Sequence, residues 1–140
     1  MIYRPRHFRI EELVPPDIFE ARGERAIELL DVEALITLDA LRDRFGTLTV
    51  NDWLWHGSYS ESGLRRPDTE TGATYSQHKY GRAFDCKFAR ATPREVFDDV
   101  LEHDDLFPHL SAIENVDFTE TWLHFDTRNH GRRGIWVVNP

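Results

Sequence analysis

Cysteine is almost absent from this chain of 140 residues: Cys86 is its one thiol. A single thiol closes no intramolecular disulfide and excludes the zinc motifs built from cysteine pairs. In the strand-like run where it lies, Cys86 reads as a small buried apolar residue. Long apolar runs are missing too. Nothing approaches the roughly 20 residues of a membrane span, and the opening Met1-Ile2-Tyr3-Arg4-Pro5-Arg6-His7 lacks the apolar centre of a secretory signal. Positive charge is in the minority, 17 Lys and Arg against 25 Asp and Glu, for a formal net charge of -8. That balance argues against nucleic acid as a partner and gives no polybasic handle for anionic membranes. The chain also has no Gly-x-Ser-x-Gly elbow, so His124 and Asp126 lack the serine of a hydrolase triad.

What is present suffices for one domain, residues 1–140. Residues 1–23 read as irregular and proline-bearing, with His7 to Leu13 a short amphipathic piece that Pro15-Pro16 stops. From Glu24 to Phe45, Ile27, Leu30, Ala34, Leu38, Leu41 and Phe45 recur at intervals of three and four, which predicts one helix ended by Gly46. Glu33, Asp39, Arg42 and Asp43 are expected on its solvated face. Thr47 to Leu54 alternates like a strand. A polar, glycine-bearing loop follows from His56 to Thr74, of a length that is usually functional or mobile. Thr92-Pro93-Arg94-Glu95 opens a helix with a capping box, and Val96, Phe97, Val100 and Leu101 form its core face. Leu110 to Glu114 and Ile135 to Val138 read as strands. His7, His103 and His109 read as surface residues. This order predicts an α+β class with a mostly antiparallel sheet flanked by helices.

Two stretches carry chemistry. Along Arg82 to Phe88, Arg82, Phe84, Cys86 and Phe88 face one way and Ala83, Asp85 and Lys87 the other. An acid between Phe84 and Phe88 is costly unless something charged binds it. A metal ion is one candidate, and Arg82 or Lys79 is the plainer one. His78 lies seven positions earlier, across the turn-former Gly81. In Thr121 to Asp126, the side chains of Trp122, His124 and Asp126 share a face. If the two strands are neighbours, His78, Asp85 and His124 converge. Two imidazoles and one carboxylate with a fourth position open make a catalytic zinc site. Asp126 is spaced to orient a ligand histidine, and Trp122 to wall a cleft or to fill the core.

Ser76, His78, Gly81, Ala83 and Asp85 fit the pattern Ser-x-His-x-x-Gly-x-Ala-x-Asp, and Trp122-Leu123-His124 fits a later Trp-x-His. The pair resembles the zinc peptidases that cut peptidoglycan stem peptides containing D-amino acids. These are the D-alanyl-D-alanine carboxypeptidases and the phage L-alanyl-D-glutamate endolysins, whose zinc fold the Hedgehog signalling domain shares. Phe8-x-x-x-Glu12-Leu13 is similar to the opening of small phage-type members. The resemblance implies that fold, Zn2+ held by His78, Asp85 and His124, a peptidoglycan stem peptide as substrate, and a monomer. Ser62-Gly63-Leu64-Arg65 resembles a Ser-Gly-x-Arg whose arginine lies near the substrate, which implies substrate binding by Arg65 together with Ser76. An exposed loop arginine beside Arg66 is the plainer reading.

The general base is where the chain departs from this pattern. The carboxypeptidases place an acid three residues before the last histidine, and here that position is Thr121. Glu114 resembles the glutamate that closes the preceding strand in Hedgehog-like and phage-type relatives and is the first choice for catalysis. Glu120 is second, although alternation sets it on the face opposite His124. Asp117, in the intervening loop, is the least constrained. Two functions follow from the resemblance. One is a zinc metallopeptidase, phage or prophage encoded and lytic, reaching the wall by holin-type release from the host cytoplasm or on the virion. The other is a zinc-bearing structural or cell-wall-binding module of a phage particle that has lost hydrolysis.

Overall fold

The computed structural model describes residues 3–140; Met1 and Ile2, the start of the segment read above for a secretory signal, lie outside it. The N-terminal segment is more regular than its composition suggests. A 3-10 turn, Ile10–Glu12, leads into helix α1, Pro16–Arg22. Pro16 opens that helix instead of merely ending what precedes it, because a first-turn residue has no N–H to lose and its fixed φ already suits a helix.

The single helix expected from Glu24 to Phe45 is two pieces, a 3-10 stretch Gly23–Leu29 and helix α2, Val32–Phe45. Asp31 makes the break. Its backbone is extended and its carboxylate accepts the Ala34 N–H at 3.0 Å, an N-cap, while the same oxygen accepts the Thr127 hydroxyl at 2.8 Å. Its own N–H donates to the Gly81 carbonyl at 2.9 Å. The apolar period runs through the break because both pieces face one core, with Leu30, Ala34, Leu38 and Leu41 buried. Period alone therefore hides a boundary that capping decides.

Asp39 corrects the expected solvated face of α2, because it is fully buried. Its carboxylate accepts the Tyr3 hydroxyl at 2.5 Å and the backbone N–H groups of Arg6 at 2.8 Å and His7 at 3.3 Å. A buried carboxylate needs such donors, and here they tie the N-terminal segment to α2. The strand expected over Thr47 to Leu54 shrinks to β1, Leu48–Thr49, followed by a 3-10 turn, Trp53–Trp55. Asn51 diverts it. Its backbone N–H donates to the Glu12 carbonyl, its side-chain amide donates to the Val14 carbonyl, and its side-chain oxygen accepts the Ser62 N–H.

The remaining strands are β2 (Ala83–Phe88), β3 (Ala112–Glu114), β4 (Leu123–Asp126) and β5 (Trp136–Val138). They form a five-stranded sheet in the order β1-β2-β4-β3-β5. It is mixed: β3 and β5 run parallel and the other neighbours antiparallel. Helix α3, Pro93–Glu102, begins with the expected Thr92 and Glu95 capping box and buries Val96, Phe97 and Val100. The class is α+β. In the central pair, Phe84 lies opposite Phe125 and Cys86 opposite Leu123, and these four join Leu35, Leu38, Leu41, Val96 and Val100 in the core. Burial pushes the Cys86 thiol far above its ordinary pKa, which fits an inert packing role. The alternate positions of the same pair place Asp85 opposite His124 and Ala83 opposite Asp126.

Candidate metal centre

Direct cross-strand partners bring their Cβ atoms to about 5 Å, so pairing Asp85 with His124 supplies two of the three groups at no further cost. His78 comes from a 3-10 turn, Gln77–Tyr80, just before β2. The Ser76 hydroxyl caps that turn by accepting the His78 N–H. Gly81 ends it in the left-handed region, at φ 70°. Gly81 also makes a close approach to the Leu29 carbonyl, where a Cβ would sit 1.9 Å away. The turn that carries His78 is thus pressed against the break before α2.

The ring atoms face inward in a determined way. His78 Nδ1 lies 2.8 Å from the Gly63 carbonyl oxygen. A carbonyl only accepts, so Nδ1 carries the proton and Nε2 offers its lone pair. His124 Nε2 lies 2.9 Å from Asp126 Oδ2 and donates to it, which turns Nδ1 toward the cluster. Nε2 of His78, Nδ1 of His124 and Oδ1 of Asp85 then stand 3.2, 3.2 and 2.9 Å from one another. Nitrogen and oxygen ligands about 2.0–2.1 Å from a tetrahedral ion are roughly 3.3 Å apart. The three atoms fit that spacing, and together they are a group that could hold a metal ion.

The electrostatics point the same way. Burial holds His78 below the ordinary imidazole pKa, against the pull of Asp85. Burial also works to raise Asp85 and Asp126, but their partners outweigh it. The His78 and His124 rings hold Asp85 well below the carboxylate range, and Arg128 and His124 bring Asp126 to about 2. For His124, burial works downward and is outweighed by hydrogen bonds to Asp126 and Asp85, which lift the ring to about 10. Asp85 and Asp126, although each is also paired with an arginine, Arg65 and Arg128 respectively, thus favour a cation between them. Among protein groups alone the His124 imidazolium plays that part, and a divalent ion would displace its proton.

Around the cluster is a cavity of about 430 Å³, within the range of small-ligand sites. Arg65, Ser76 and Glu114 line it along with the three candidate ligands. Arg65 is not the exposed loop residue of the plainer reading, since its side chain is only 12% accessible. It donates from Nη2 to Asp85 Oδ2 at 3.2 Å and from Nε to the Glu61 carbonyl, so it holds the carboxylate whose other oxygen faces the histidines. Glu114 Oε1 lies 3.8 Å from His124 Nδ1, beside the cluster and outside its ligand spacing.

Compared with family models, with curated proteins and with solved structures, the chain matches none at a significant level.

The other acids lie elsewhere. Glu120 is exposed in the turn before β4 and does not line the cavity. Asp117 pairs with Arg94 at the surface. Trp122 lines the cavity, as one of its two readings had it. Sequence reasoning missed Arg128, which lines the cavity and clamps Asp126 with two bonds, Nε to Oδ1 at 2.7 Å and Nη2 to Oδ2 at 2.5 Å. The signal was available, because Arg128 extends the His124 and Asp126 alternation by one more step.

Proposed function

We propose that the protein is a zinc-dependent peptidase acting on peptidoglycan stem peptides, with His78, Asp85 and His124 as the metal ligands and a fold related to that of the D-alanyl-D-alanine peptidases. The observation that carries this reading is the cluster of three inward-facing ligand atoms at tetrahedral spacing, open to a cavity and flanked by the Glu114 carboxylate. A zinc ion held there supplies Lewis-acid chemistry, acidifying a water and polarising a peptide carbonyl.

The chain's own residues do the rest. Glu114 is the general base, near enough to take a proton from a water at the cluster and return it to the leaving amine. Its place at the end of β3, next to β4, fixes that distance through the sheet. Arg65 holds Asp85 in position and keeps the N–H groups it does not spend there for a substrate carboxylate. Ser76 shares the cavity wall and contributes a hydroxyl to binding. Asp126, clamped by Arg128, fixes the tautomer and tilt of His124.

Purified protein loaded with zinc and incubated with muropeptides tests this. New amine is expected, abolished by chelator and restored by zinc. Glu114→Gln is expected to keep its zinc and lose turnover by about two orders of magnitude or more. No release from any stem peptide by the zinc-loaded protein would remove the catalytic reading and leave a metal-bearing binding module. Loss of activity in Glu120→Gln but not Glu114→Gln would reassign the base.

A further inference from the structure

The cavity over the ligand cluster is not the end of the concave surface. A second one, of about 220 Å³, is lined by Tyr59, Ser62, Lys87 and Thr121, and it shares Asp85 and Trp122 with the first. The two hollows therefore adjoin at Asp85, one of the candidate ligands, and at Trp122. At 220 Å³ the second hollow falls short of the roughly 300–1,000 Å³ in which whole small molecules are bound. It suits one part of a ligand whose remainder lies elsewhere.

We infer that this hollow is a subsite for the substrate residue on the far side of the reacting bond and that it takes that residue within a continuing chain, so that the substrate is cut internally, not trimmed at its end. The inference rests on the peptidase reading above. Its chemistry is that of contact. Lys87 spends three donor bonds within the protein, to the Val50 carbonyl at 2.5 Å, Ser62 Oγ at 3.0 Å and the Asp85 carbonyl at 3.2 Å. Its ammonium also lies 4.0 Å from the centre of the Tyr59 ring. Lys87 therefore fixes the floor and the Tyr59 wall, and has no N–H left with which to grip an anion. Tyr59, 44% exposed, and Trp122 are the two aromatic walls, and Thr121 adds an uncharged rim. A residue with an aliphatic or small polar side chain fills such a slot. A residue ending in a free carboxylate would bring that charge into the slot with no Lys87 N–H left to meet it, whereas a residue within a continuing chain brings none.

The test uses the zinc-loaded full chain and two synthetic stem peptides of one sequence. In the first the reacting bond releases a single C-terminal residue. In the second the chain continues on both sides and is acetylated and amidated at its ends. The blocked, extended peptide is expected to be cut. Tyr59→Ala is expected to raise its KM about 10-fold or more, leaving kcat and zinc content close to the starting values. Cleavage of the free-ended peptide alone overturns internal cutting, a Tyr59→Ala variant that treats both peptides as the unaltered protein does overturns the subsite, and either result leaves the peptidase reading standing. If neither peptide is cut, that reading fails, and titration with the extended peptide carrying a reduced bond judges the subsite by itself. Shifts of the Tyr59 amide and Trp122 indole resonances on titration support the subsite, and their absence overturns it.

Discussion

His124 is held at both ring nitrogens by carboxylates, and that arrangement sets what single substitutions do. Asp126 lies on the side away from the cluster, fully buried and clamped by Arg128. Asp126→Asn keeps the shape and removes the charge that aligns the ring. Zinc affinity is expected to fall about 10- to 100-fold, measured by competition with a chromogenic chelator, while the circular dichroism spectrum stays the same. Unchanged affinity would reduce Asp126 to a mere partner for Arg128. At this scale alternation was a good guide: it put His124 and Asp126 on one face and Asp85 away from the phenylalanines. It had no bearing on Arg65, whose burial depends on a loop closing over Asp85, a contact 20 positions away in sequence that no local pattern encodes.

The elements around the cluster are joined at a few backbone points, and two of these are open to test. Gly81 holds the His78 turn against the Leu29 carbonyl. Gly81→Ala combines a positive φ with a clash against backbone, which is not free to yield, and is expected to cost about 3 kcal/mol or more in urea unfolding. A loss below about 1 kcal/mol would show that the turn relaxes away from that contact. At the other point, Tyr3 donates to buried Asp39 and so ties the N-terminal segment to α2. Tyr3→Phe is expected to cost about 1.5–3 kcal/mol at neutral pH. Burial, and then the hydrogen bond to Asp39, raise the pKa of Tyr3 above 10.0. The folded state therefore keeps a proton that the unfolded chain loses near pH 10, so this contribution is present below about pH 10 and fades as pH rises through the raised value. The stability gap between Tyr3→Phe and the unaltered protein should narrow there, and a gap constant to pH 11 would contradict the assignment. Element identity was largely legible in the sequence, with α3 the clearest case because its capping box is local. The break at Asp31 was hidden, because the groups that require it, Gly81 and Thr127, lie about 50 and 96 positions along the chain.

On the scale of the whole molecule, the cluster joins pieces that would otherwise meet only through the sheet. His78 sits before β2, Asp85 within it and His124 in β4, so an ion at their meeting point cross-links the folded state and not the unfolded chain. Zinc at about 100 times its dissociation constant is expected to add about 2.7 kcal/mol, a rise of roughly 10 °C in Tm for a domain of this size. Calorimetry with zinc and with excess chelator checks it. Equal midpoints in the two conditions would count against the metal centre whatever the activity assays show.

By itself the sequence determined the α+β class and the two alternating strands, which follow from local periodicity, and it named the three candidate groups through residue chemistry and the motif resemblance. Only the tertiary structure decided the pairing of Asp85 with His124, the choice of Nδ1 on one ring and Nε2 on the other, and the nearness of Glu114 in place of Glu120. Those depend on which strand lies beside which and on single hydrogen bonds, from His78 to the Gly63 carbonyl and from His124 to Asp126. Such long-range partners leave no periodic trace in the chain, since a carbonyl looks the same from sequence wherever it ends up.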